Sequence, residues 1–368
     1  MPEIWLDYGT SEVILDIRYE NILNHIKPDF NYMQEKLLGD YINEKVSFKD
    51  SNLVLILNPF KQMAPILKQL IYKSDLLNKN LEIATLKNIP LNFKKDLVNQ
   101  EIHLSGIGHG EILSTISKFK KVIVLEKILY DPMFGFSCSP TEITRLLYAK
   151  AMDQVYSHIK NKMPTPGILG DPLKIALETV KEINLEFLHV ISNNEGINRI
   201  SYEGDVDESL ANLLEIFKGL TKKQIEISKS VILSGNTNLD AQKTLSNSFN
   251  VLWNNYKAVK ENGIIVFLSE NTGGIGNGAL QEFIDNKLPS TRIDGHNYLK
   301  DLEHLNYLNL LRDKYEIYII STLPKLYIQK IGLRDIPKIK DGLEIILSKY
   351  GKNSKTLIIT NSELNIIN

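Results

Sequence analysis

Gly263-Ile264-Ile265-Val266-Phe267-Leu268-Ser269-Glu270-Asn271-Thr272-Gly273-Gly274-Ile275-Gly276-Asn277-Gly278 is the stretch that decides how this chain is read. The five consecutive apolar residues 264–268 predict a strand buried on both faces. The run breaks into a glycine-rich turn, and 279–284 starts as a helix. Strand, glycine loop and helix in that order form the unit that sets ligand loops at the carboxyl edge of an open α/β sheet. Glycine lets the backbone approach a ligand closely or turn with positive φ, so Gly273 and Gly274 are candidate binding positions. The spacing G-G-x-G-x-G is not the G-x-G-x-x-G of dinucleotide folds, and it falls late in the chain.

Working outward, the same β-α rhythm recurs. Strands are predicted at 4–6 and 12–17 as a hairpin, then at 52–57, 81–86, 121–125, 230–233, 316–321 and 356–360. A second hairpin, 187–192 with 197–202, turns through Asn193-Asn194-Glu195-Gly196. Helical spacing covers 30–42, 64–73, 142–160, 173–183, 207–219, 239–262 and 343–349. Residues 102–110, with three glycines and two histidines, read as a loop. Alternating strands and helices predict mainly parallel sheets. At 368 residues the chain is too long for one ordinary core. The expected architecture is therefore α/β in two domains, 1–225 and 226–368. Each has a mainly parallel sheet flanked by helices, with a cleft between them.

Composition narrows the function classes. A formal net charge of -1 gives no electrostatic ground for a nucleic acid or an anionic membrane as partner. The lone Cys138 rules out an internal disulfide and suits a reducing, cytoplasmic setting. No apolar run reaches the ~18 residues of a bilayer span. The first 16 residues alternate apolar and acidic positions without a basic start, unlike a signal peptide.

Several segments, in this order, resemble the lactate racemase family of nickel-pincer isomerases. Leu6-Asp7-Tyr8-Gly9 followed by Val13-Ile14-Leu15 is similar to that family's opening strand pair. Asp171-Pro172-Leu173 through Gly204-Asp205 resembles its acidic helix, hairpin and Gly-Asp end. Ser234-Gly235-Asn236-Thr237-Asn238-Leu239-Asp240 looks like its Ser-Gly-Gly-x-Pro-Leu-Asp loop, and 263–278 like its late glycine element. The resemblance spans nearly the whole chain and is densest in the C-terminal half. It implies an interdomain site for a nickel pincer nucleotide tethered to a lysine. The C2 hydride of a 2-hydroxy acid leaves for the cofactor ring and returns on either face. Two histidines act as bases, a task that needs a pKa near neutrality.

Residue by residue, the chain departs from that pattern. The family's Asp-x-x-Arg falls on Asn58-Pro59-Phe60-Lys61, where lysine pairs with a carboxylate only as a point charge. Leu86-Lys87-Asn88 stands where the first basic histidine belongs, and Met133 replaces the second. Gly135-Phe136-Ser137 is kept, but the tethering lysine falls near Thr141 or Glu142. The family's substrate-holding Gln and Lys fall on about Leu245 and Ser248. His158, after Ser157, matches the position of a nickel ligand; the alternative is an ordinary helix-surface histidine. His103 and His109, around Gly106-Ile107-Gly108, are candidates for a displaced catalytic base or members of an exposed loop.

The expected function is a lactate racemase-like isomerase that racemises or epimerises a small 2-hydroxy acid. Asn58 and Lys61 would hold the carboxylate and His158 the metal, with the cofactor tether missing. The alternative is a non-catalytic relative that binds a small carboxylate or serves in an assembly.

Overall fold

Strands whose residues are apolar on both faces need cover on both sides, and this chain supplies it twice. The computed structural model describes residues 3–86, 97–203, 208–235, 243–293, 295 and 297–367. Lys87-Asn88, Gly204-Asp205, residues 236–240 and His296 lie outside the described residues.

The N-terminal hairpin is β1 (Glu3–Tyr8) and β2 (Ser11–Asp16), followed by β3 (Ile22–Ile26). Next come β4 (Ser51–Ile56), β5 (Asn80–Leu86), β6 (Ser105–Ile107) and β7 (Lys121–Lys127). Two short strands, β8 (Leu129–Asp131) and β9 (Gly135–Ser137), form a small hairpin. The hairpin β10 (Glu186–Ser192) with β11 (Ile197–Glu203) leads on to β12 (Lys222–Lys223). The rest are β13 (Ser228–Ser234), β14 (Val259–Leu268), β15 (Glu316–Ile320), β16 (Arg334–Asp335), β17 (Thr356–Ile359) and β18 (Ile366–Ile367).

The first sheet runs β11-β10-β7-β4-β5-β6 and is parallel except for the β10–β11 hairpin. The second runs β16-β15-β14-β13-β17-β3 and is parallel throughout. One face of the first sheet packs on Leu38, Ile42, Met63, Ile66, Leu67 and Leu70 from the helices Glu35–Lys45 and Met63–Leu76. Its other face packs on Ile143, Leu173, Val180, Leu213 and Phe217. The second sheet has the N-terminal hairpin (Ile4, Leu6, Leu15, Ile17) and Ile346 on one side, and Phe249, Trp253 and Leu308 on the other. The mainly parallel α/β architecture read from the strand-helix rhythm is thus the one the chain adopts.

Three readings need correction. Residues 3–26 do not join the first sheet. β3 pairs with β17, and the hairpin covers the second sheet, because its alternate apolar side chains find their burial there. The sheets therefore do not divide the chain at 225 and 226. Met152, Val155, Tyr156 and Ile159, from the helix Ala149–Ile159, likewise pack into the second sheet's core. Second, the helix expected over 239–262 ends at Asn255, and β14 begins at Val259, which pairs with Ser228. A Cβ at Gly263 would sit 2.7 Å from the carbonyl oxygens of Lys229 and Lys260, so this glycine permits the close approach of β13. Third, 102–110 is not all loop: Ser105–Ile107 adds an edge strand to β5, its partner exchanging main-chain bonds that need no particular side chain.

In the second core the Trp253 indole N–H donates to His304 Nδ1 at 2.9 Å. Burial pushes the His304 imidazole down from 6.5 to about 4. The neutral ring is the form the fold accepts. Its stabilisation is complete above pH 6.5 and is lost as pH falls towards 4. Urea midpoints should drop across that window, and H304Q should lack this part of the acid limb.

Candidate functional site

The carboxyl ends of parallel strands collect functional groups because the loops leave from there. In the first sheet β4 and β7 lie side by side in register, Ile56 opposite Leu125. Just past these positions Asn58 and Glu126 meet. Glu126 is 2% exposed. Asn58 and the backbone of Lys127 lie close enough to favour its ionised form, against its burial. Oε2 has no hydrogen-bond partner among the described residues. Burial, and then the nearby Glu142, raise this carboxyl well above the usual range. Glu142 is half-buried on the helix Ser139–Leu147 and accepts 2.8 Å from Ser137 Oγ.

The Gly-Phe-Ser turn is built for packing. Gly135 has φ +85, and a Cβ there would collide with the Ile168 carbonyl oxygen. Cys138 then caps the helix. Thr141 Oγ1 accepts from Cys138 N at 2.9 Å and donates to Cys138 O at 2.8 Å. Both side chains are 0% exposed. Thr141 and Glu142 stand near where the resemblance puts the tethering lysine; Glu142 offers a carboxyl, and Thr141 a buried hydroxyl already committed to the cap. His158 is exposed on its helix. Among the described residues no group of three or more His, Cys, Asp or Glu is placed to hold a metal ion. The described residues therefore do not fit a lysine-tethered nickel cofactor. Burial also pushes the Cys138 thiol up to about 12, which keeps it from acting as a thiolate ligand. Iodoacetamide should leave native Cys138 unmodified and label it once the protein is unfolded, as read by intact mass.

The edge of the second sheet faces this region. Lys127, 2% exposed, ends β7; burial pulls its ammonium down to about 8, against the opposing field of Glu363. Glu363 is buried just after β17. Burial, then Glu363 and Glu12, raise Asp7 to about 6. Ser234 Oγ donates to Asp7 O at 3.1 Å, and a Cβ at Gly235 would overlap the Glu363 carboxylate. Acidic side chains from β1 and from the loop after β17 thus converge with a buried lysine from the other sheet.

The glycine loop after β14 is largely occupied by the chain itself. Gly273 N donates to Lys243 O at 2.6 Å, and Leu245 N to Gly274 O at 3.0 Å. At Gly276 and Gly278 the missing side chains leave room for the Asp301 carboxylate. Gly273 is exposed and Gly274 half-buried, both at the carboxyl edge of the second sheet. Lys61 is exposed three residues past Asn58. His109 follows β6 and is exposed at the carboxyl edge of the first sheet. Two strand spacings, roughly 10 Å, separate its strand from β4. His103 is exposed and precedes β6, towards the opposite end. The structure brings Asn58 to Glu126 and sets neither histidine beside them. Glu126, Lys127 and Glu363 were not singled out from the sequence, and Glu142 was named only as a position near the implied cofactor tether. The available signal was Glu126-Lys127 directly after the apolar run 122–125, a charged pair continuing a buried strand.

Fold and site together define a class: an α/β protein of two mainly parallel sheets with its polar, titratable groups gathered at their carboxyl edges. Within that class the chain has the lactate racemase fold. It matches the lactate racemase apoprotein from Thermoanaerobacterium thermosaccharolyticum with a TM-score of 0.77 at 15% identity, over 100% of both chains. A structural-genomics protein from Thermotoga maritima matches with a TM-score of 0.66 at 11% identity, over 93% of this chain and 100% of that one. No protein-family model matches the sequence, and no curated protein does.

Proposed function

We propose that this protein is an isomerase of small carboxylic acids, a racemase or epimerase of the 2-hydroxy or 2-oxo acid class. It works at the carboxyl edges of its two sheets, without a lysine-tethered nickel cofactor. The observation that carries the reading is Glu126: a buried carboxyl with one oxygen unserved, beside the half-buried Asn58 and Glu142. A strongly perturbed titratable group at strand ends is a common mark of a working site. In this reading Asn58 and Lys61 hold the ligand carboxylate, one by an amide N–H and the other by charge. The likeness in fold to a lactate racemase supports the substrate class. No helix among the described residues is long and apolar enough to cross a membrane.

Calorimetry with the two lactate enantiomers, glycolate and pyruvate, followed by chiral analysis of each incubated lactate enantiomer, tests the reading. Binding together with loss of enantiomeric purity is the expected result. No heat with any of the four acids at millimolar concentration would remove it. The lack of a lysine at Thr141 and at Glu142, near the tether position the resemblance implies, favours a second reading, a carboxylate-binding protein without turnover. That reading predicts binding with enantiomeric purity unchanged.

A further inference from the structure

The N-terminal hairpin buries one face and exposes the other. Ile4, Leu6, Leu15 and Ile17 point inward onto the second sheet. The alternate positions point outward, and there the register sets Glu3 opposite Asp16, Trp5 opposite Ile14 and Asp7 opposite Glu12. Trp5 is 54% exposed and Ile14 42%, an apolar pair at the centre of an otherwise acidic face. Glu3, Glu12 and Asp16 are exposed, and Asp7 is half-buried.

We propose that this face docks an extended, cationic segment of a partner protein, with Lys or Arg on both sides of one apolar side chain. Two separate features of the face point to that occupant. Like charges directly opposite each other on a strand pair are destabilising, yet the hairpin carries two such pairs. None of the four acids forms an ion pair among the described residues, and Arg18, the next basic residue along the chain, pairs with Glu20 instead. The crowding is felt at Asp7, where burial, then Glu363 and Glu12, raise the carboxyl to about 6. The second feature is Trp5 itself, a residue type that anchors protein interfaces when a partner covers it. Cations arriving with an apolar side chain relieve both features together. Nucleic acid and anionic bilayers are repelled by the same four carboxylates. A second copy presenting this face would set like charge against like.

The register also fixes the spacing of the partner. Glu3 and Asp7 are four residues apart on one strand, as are Glu12 and Asp16 on the other. Four residues of strand span about 13 Å, with the Trp5–Ile14 pair midway. An extended segment shows alternate side chains on one side at the same rise. The pattern Lys-x-Leu-x-Lys therefore sets one ammonium over each acid pair and the leucine over Trp5 and Ile14.

Fluorescence of the full chain tests the proposal, because the other tryptophan, Trp253, is fully buried and acrylamide reaches Trp5 alone. The probe is the peptide acetyl-Lys-Thr-Leu-Thr-Lys-amide. It should reduce acrylamide quenching at least twofold and shift the emission to the blue, with half-saturation below about 1 mM. Affinity should fall about tenfold between about 50 and about 500 mM salt. The double variant E12K/D16K should weaken binding tenfold or more while melting no lower than wild type, since both like-charge pairs are gone. No protection of Trp5 at a few millimolar peptide overturns the proposal. Equal protection by the peptide with Glu in place of both Lys, or unchanged affinity in E12K/D16K, overturns it as well. A concentration-dependent dimer of the chain alone that shields Trp5, seen by sedimentation, gives the face to a second copy and also overturns it.

Discussion

Arg145→Met is expected to destabilise the folded protein by about 3–5 kcal/mol, the range for breaking a buried ion pair from one side. Arg145 lies on the helix after the Gly-Phe-Ser turn and reaches across to the second sheet's helices. Nη2 is 2.5 Å from Asp131 Oδ2, and Nη1 is 3.2 Å from Glu303 Oε1. The guanidinium also stacks over the Phe134 ring, 5.0 Å from its centroid. Removing it leaves two buried carboxylates facing each other, and Glu303 Oε2 already has no hydrogen-bond partner among the described residues. Because the Arg145 side chain is 21% exposed, the low end of that range is expected. Denaturant midpoints at neutral pH measure the loss. The triple variant R145M/D131N/E303Q should recover much of it, since no uncompensated charge remains. If the single variant melts like wild type, the network contributes nothing.

Gly135→Ala should lose about 2–5 kcal/mol, although the added group is a single methyl. An L-residue at φ +85 costs roughly 1–2 kcal/mol. Overpacking adds about 1–3 kcal/mol, because the colliding atom is the Ile168 main-chain oxygen, which cannot swing aside as a side chain would. The bond from Gly167 N to Gly135 O, 2.7 Å, would be pulled with it. Gly110→Ala is the control: nothing lies within 4 Å of its Cβ position, so its melting temperature should stay close to wild type. Equal melting of G135A and wild type would show that the 164–170 segment yields more readily than its main-chain bonds imply.

How much was legible depended on whether a residue's role left a pattern. The strands at 52–57, 121–125 and 264–268 were readable because burial on both faces requires an unbroken apolar run. β6 was hidden, since Ser105-Gly106-Ile107 is too short for any period and contains a turn residue. β3 was hidden for another reason: Ile22–Ile26 carries two exposed polar residues and is held by a partner more than 300 positions away. Among site residues, Asn58 drew attention from its place after a buried strand. Glu126 was missed because an acidic residue ending a strand ordinarily faces water, and only tertiary packing shows that this one does not. The histidines drew attention through their chemistry, yet His103, His109 and His158 are exposed. The resemblance put the implied tether near Thr141 or Glu142. Only the cap geometry shows that the Thr141 hydroxyl is engaged.

β3 lies beside β17 in the second sheet, while Leu364 and Ile366, near the other end of the chain, pack into the core of the first. The two ends are therefore cross-stitched. A ribosome releases Ile22 long before it makes Thr356, so the opening segment must wait through nearly the whole of synthesis for its neighbour. Contacts that distant in sequence slow assembly. A fragment cut near residue 225 would leave each half with a bare strand edge, the kind of surface on which chains pair with the wrong partner.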